Sequence, residues 1–131
     1  MSLPLEPTRK TILLVENEPL LQKFVRTILE RAGFTVPSAS TADGATQIEQ
    51  DLTGTIDLLL TGVWLPERSG PDLAEQLQRS RPGLRVMLMS GDPAAHTVAA
   101  NYGWSIIEKP FLPAVLLDRV KDALARDVGA G

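Results

Sequence analysis

Five times along this chain a short apolar run gives way to a stretch of helical periodicity, and that alternation limits the fold more than any other feature. The apolar runs fall at 11–15, 34–39, 57–61, 85–90 and 105–108. Leu13-Leu14-Val15, Leu58-Leu59-Leu60, Val86-Met87-Leu88-Met89 and Ile106-Ile107 are near-continuous, as strands covered on both faces require. The second run differs, because Pro37 has no N–H to give to a ladder and belongs at an edge. Short connections and right-handed crossovers leave few topologies, and the expected one is an α/β fold, a doubly wound five-stranded parallel sheet with helices on both faces in the strand order 2-1-3-4-5, which puts the Pro37 strand at an edge.

The clearest helix follows Pro19, where Leu20, Leu21, Phe24, Val25, Ile28, Leu29 and Ala32 recur at helical spacing as an expected buried stripe. Gln22, Lys23, Arg26, Glu30 and Arg31 lie opposite, and Gly33 supplies the stop. The last helix starts near Pro113 and is expected to bury Val115, Leu116, Val120, Ala123 and Leu124. Shorter helices are expected over 42–52, 71–79 and 94–102. This organisation predicts one domain over residues 11–126, with tails at 1–10 and 127–131.

At 131 residues and 44% hydrophobic content the chain suffices for a single core. Thirteen basic against sixteen acidic side chains give a net charge of -3 without a Lys/Arg run, so nucleic acid is not expected as a direct partner. The absence of cysteine excludes disulfides, thiol chemistry and Cys-based zinc sites. Residues 1–10 contain no apolar leader core, and no apolar stretch approaches the roughly 18 residues that span a bilayer. A soluble, cytoplasmic protein is expected, with no membrane association.

In a doubly wound sheet, ligands bind beyond the carboxyl ends of the strands, where the strand order reverses. Glu16, Asn17 and Glu18 follow the first strand, Gly62 ends the third, Ser90 and Gly91 the fourth, and Lys109 and Pro110 the fifth. Each has a plain reading as well. Glu16 to Glu18 suits a polar turn before a helix, Ser90-Gly91-Asp92-Pro93 suits a turn and helix start, and Lys109-Pro110 suits a strand terminator. Tyr102 and Trp104 read as packing residues, and the single histidine, His96, as solvated. Trp64 either fills space beside Gly62 or offers an exposed anchor.

Taken together and in order, Val15-Glu16-Asn17-Glu18-Pro19, Leu65-Pro66 with Ser69-Gly70, Met89-Ser90-Gly91 and Glu108-Lys109-Pro110-Phe111 resemble the loops of response-regulator receiver domains, over about 11–125. The resemblance implies the flavodoxin-like receiver fold and a role in two-component phosphorelay signalling. It also implies the parts of the site: an acidic pair and an acceptor aspartate that hold Mg²⁺, a Ser/Thr hydroxyl and a lysine that contact the phosphoryl group, and an aromatic residue that changes rotamer. Glu16 matches the first acidic position, Ser90 the hydroxyl, and Lys109 the lysine, with Pro110 as the expected cis residue. Three positions depart: Asn17 stands at the second acidic position, Gly62 at the phosphoacceptor position, and Ile106 at the aromatic one.

These departures predict a site that takes no phosphate and binds Mg²⁺ weakly or not at all, with Glu16 and Asn17 as weak metal candidates beside a loop carbonyl near Trp64. Glu16 and Lys109 would then pair directly. Asp57 is the nearest aspartate, but five residues of strand at about 3.3 Å each put it roughly 16 Å away at the other edge of the sheet. Glu67, five residues past Gly62, is a poor substitute without a metal cage. The expected function is that of an atypical, non-enzymatic receiver acting by protein interaction, with a sensor histidine kinase or another regulator as partner and room for a homodimer. Met89-Ser90-Gly91 also suits a receiver excised from a hybrid kinase. Two alternatives stay open: an ordinary Mg²⁺-dependent phosphoacceptor using another residue or altered by engineering, and a flavin or phosphate binder on a flavodoxin-like fold. The second lacks a Gly-rich or Ser/Thr-rich cradle after the first strand.

Overall fold

Buried apolar runs build the sheet seen in the computed structural model, which describes residues 9–126. The elements are β1 (Ile12–Val15), α1 (Pro19–Arg31), β2 (Ser38–Ala39), α2 (Ala42–Asp51), β3 (Leu58–Gly62), α3 (Gly70–Ser80), β4 (Arg85–Ser90), α4 (Ala94–Tyr102), β5 (Ser105–Glu108) and α5 (Pro113–Ala125). All strands pair in parallel in the order β2-β1-β3-β4-β5. The expected doubly wound topology is therefore the observed one. The tail expected at 127–131, and residues 1–8 of the tail expected at 1–10, lie outside the described residues.

Strand periodicity divides the core into two layers. Leu13, Val15, Leu59, Val86 and Leu88 pack with α2, α3 and α4, whereas Ile12, Leu14, Leu58, Leu60, Met87, Met89 and Ile107 pack with α1 and α5. At the edge, β2 is shorter than its apolar run. The backbone of 34–39 still lies along β1, with Thr35, Pro37 and Ala39 carbonyls accepting from the amides of Ile12, Leu14 and Glu16 at 2.9, 2.9 and 3.0 Å. Pro37 accepts there and has nothing to donate, which an edge permits.

Two helix faces differ from expectation. In α1, Val25 and Leu29 are fully buried, but Leu20 is 79% and Phe24 43% exposed. In α5, Leu116, Val120 and Ala123 are buried while Val115 is 38% exposed. Periodicity reports which residues share a face, not how far neighbouring elements extend beneath it. The amino-terminal ends of both helices outrun their cover.

Candidate functional site at the carboxyl ends of the strands

Register assembles the site. Pairing of Val15 with Thr61 brings Glu16 beside Gly62, and pairing of Ser90 with Glu108 brings the turn after β4 beside Lys109. Glu16 is 4% exposed, yet both of its carboxylate oxygens have donors. Lys109 Nζ donates to Oε1 at 2.9 Å, and the Glu18 amide donates to Oε2 at 3.0 Å. A buried carboxylate needs such a counter-charge and such hydrogen bonds.

Gly62 leaves room for this arrangement. A Cβ built on Gly62 would lie 3.2 Å from Glu16 Oε1, so the Glu16 carboxylate reaches the edge of the space into which a side chain at 62 would extend. Behind it the backbone is closely packed. The Gly70 amide donates to Val63 O at 2.7 Å, and a Cβ on Gly70 would meet Gly62 O at 2.0 Å, an approach that only glycine allows. Thr61 Oγ1 donates to the same Gly62 carbonyl at 2.8 Å.

The remaining sequence-predicted positions fall around this pair without joining it. Asn17 is exposed, and its side chain makes no hydrogen bond among the described residues. Ser90 is buried; its Oγ accepts from the Asp92 amide at 2.9 Å, and Asp92 Oδ1 accepts from the Ala94 amide at 2.9 Å, so these two side chains shape the turn that starts α4. Ile106 is half-buried against the α2–α4 layer. The Lys109–Pro110 peptide is cis, and the Lys109 amide donates to Ser90 O at 2.9 Å, which ties the ends of β4 and β5 together.

Trp64 is 74% exposed, which removes the reading in which it fills the space beside Gly62. Glu67 is exposed in the same loop with φ of 70°. Asp57 is at the far edge, where its Oδ2 accepts from the Thr11 amide at 2.8 Å. His96 is on the surface with Nε2 3.3 Å from Glu108 Oε1. Trp104 is buried and stacks on Tyr102 at 4.0 Å between ring centroids, in keeping with a packing role. Sequence reasoning missed Gln22, assigned to the solvent face of α1. Its Nε2 donates to the carbonyls of Glu16 at 2.9 Å and Ala39 at 3.0 Å and so fastens the ends of β1 and β2. Its place six residues after Glu16 was the only available signal.

The profile of the response regulator receiver domain matches residues 12–121. The chain is 30% identical over 119 residues to the sensor kinase CckA of Brucella abortus, covering 88% of this chain and 13% of that protein. It is also 30% identical over 121 residues to the response regulator receiver protein CpdR of Brucella abortus, covering 88% of this chain and 97% of that one. Of the first curated relatives it matches, the chain spans from 13% to about half the length. Among solved structures, a CheY-like response regulator receiver domain protein from Methanospirillum hungatei superposes with a TM-score of 0.79 at 28% identity, over 89% of this chain and 94% of that one. The receiver domain of the hybrid histidine kinase CckA gives 0.74 at 29%, over 87% and 98%. This chain belongs to the response regulator receiver domain family.

Proposed function

We propose that this receiver domain of a two-component system works without being phosphorylated, as a protein-interaction module. One observation carries the reading: at the strand ends the Glu16 carboxylate reaches toward the side-chain space at Gly62 and is neutralised by Lys109 at 2.9 Å. The lysine that would contact a phosphoryl oxygen is thus already paired, and residue 62 offers no nucleophile.

A resident Mg²⁺ does not fit these residues. Hard dications take several carboxylate or carbonyl oxygens, whereas this site has one carboxylate with both oxygens engaged and an exposed amide at Asn17. Among the described residues no group of three His, Cys, Asp or Glu side chains is placed to hold a metal. The partner class is protein, a sensor histidine kinase or another regulator, in the cytoplasm, with no catalysis by the domain itself and no direct contact with nucleic acid. No helix among the described residues is long and apolar enough to cross a membrane. The test is amide NMR during addition of Mg²⁺ and then beryllofluoride, a phosphoryl mimic. Unmoved resonances at Glu16, Gly62, Ser90 and Lys109 are expected; saturable shifts there would refute the reading.

A further inference from the structure

Far from Gly62, at the amino ends of β4 and β5, lies a cavity of about 230 Å³ that the signalling reading does not use. The end of α3 contributes Gln78, the start of β4 Arg85, the start of β5 Ser105, and the residue after α5 Arg126, while Tyr102 and Trp104 form an aromatic wall. Its polar groups are organised. Arg85 Nε donates to the Arg126 carbonyl at 3.0 Å, and Arg126 Nη1 donates to Ser105 Oγ at 3.1 Å. Gln78 Nε2 is fixed by the Leu84 carbonyl at 3.0 Å. Neither arginine has a carboxylate within 4.0 Å among the described residues, although Arg26, Arg68 and Arg81 each have one.

We propose that this cavity is a binding site for a small doubly charged oxyanion, either a phosphate or a dicarboxylate. Two guanidinium groups supply two positive charges and a planar fork that matches either group through paired N–H donors. The contacts they already make leave most of their donors uncommitted, five N–H groups being available on each guanidinium. The volume sets the size class. It is below the usual range for drug-sized ligands, roughly 300–1,000 Å³, and so suits a small anion over a nucleotide. The walls come from α3, β4, α4, β5 and α5, so an occupant would bridge the last turn of α5 to the sheet.

The test is titration with sodium phosphate and, separately, sodium succinate at constant ionic strength, read by amide NMR at Gln78, Gly103 and Ser105. Trp104 fluorescence in a Trp64→Phe background gives a second readout. Saturable shifts confined to those residues are expected with at least one of the two anions, and whichever saturates identifies the source. Arg85→Gln should weaken binding about tenfold or more, and Arg85→Lys, which keeps the charge but loses the fork, should weaken it less. Lys23→Gln, which removes one exposed positive charge from α1 away from the cavity, should leave binding unchanged. Absence of a saturable response to both anions in the parent protein would overturn the proposal. So would binding unaltered by Arg85→Gln in a variant whose circular dichroism shows it folded, or binding abolished by Lys23→Gln.

Discussion

Replacing Lys109 with methionine keeps most of the side-chain length and removes only the ammonium, which isolates the ion pair with Glu16. In the parent, the Glu16 side chain is 5% and the Lys109 side chain 30% exposed, with Nζ and Oε1 2.9 Å apart. Losing one partner of a fully buried pair typically costs about 3–5 kcal/mol, because a charge is left without compensation. Here Lys109 is partly solvated, and Glu16 keeps the amide of Glu18 as donor, so we expect about 1–3 kcal/mol. That corresponds to a urea midpoint lower by roughly 1 M, given slopes of about 1–3 kcal/mol/M for small proteins. Pairing the substitution with Glu16→Gln separates the interaction from the solvation of each group. The double variant should be more stable than the sum of the two single losses predicts, since neither charge is left alone. The assay is reversible urea denaturation followed by circular dichroism. Equal midpoints for Lys109→Met and the parent would show the pair to be screened by solvent and would remove the electrostatic basis of the account.

Three further outcomes follow from the same geometry. Gly62→Asp should not confer phosphate uptake, and should lower stability, because a new carboxylate roughly 5 Å from Glu16 meets about 3 kcal/mol of repulsion before Lys109 offsets part of it; chemical denaturation and intact mass check this. Gly70→Ala should destabilise by about 3 kcal/mol or more, since its Cβ would meet the Gly62 carbonyl at 2.0 Å and backbone must move; thermal unfolding reads it. Tyr102, the single tyrosine, should ionise above its ordinary value near 10, chiefly because its hydroxyl donates to Glu75, with desolvation and the charges of Glu75 and Asp72 adding to the shift. The sign is that of a raised pKa: this bond's contribution is full below the unfolded pKa and is lost as pH rises through the folded one. Ultraviolet titration checks it, and a midpoint that Glu75→Gln leaves unchanged would contradict the cause.

How much of this was legible beforehand depends on what each residue answers to. β4 falls at the expected residues because a doubly buried strand reads as a continuous apolar run, β5 because Ile106-Ile107 keeps a short apolar run at the sheet edge, and α4 because Pro93 and Gly103 bracket it. Pro37 gave the edge strand for a reason of hydrogen-bond supply alone. The Glu16–Lys109 pair was readable once strand order put both residues at one end of the sheet. Leu20, Phe24 and Val115 were not readable as exposed, since a hydrophobic stripe does not state where its cover stops. Gln22 was hidden for the converse reason: a polar residue on a helix face looks solvated until the Ala39 carbonyl is brought to it from 17 residues away. The orientation of Trp64 is set by the loop between β3 and α3, where Trp64 bridges Ser69, and no periodic signal encodes that fold-back.

The most direct measurement is intact mass after incubation with acetyl phosphate and Mg²⁺, with the Asn17→Asp, Gly62→Asp double variant alongside, which restores both missing carboxylates. The parent is expected to gain no phosphoryl group, and the double variant to gain one that EDTA prevents. A phosphoryl adduct on the parent protein, stable enough to be mapped to Glu67 or any other residue and dependent on Mg²⁺, would contradict it.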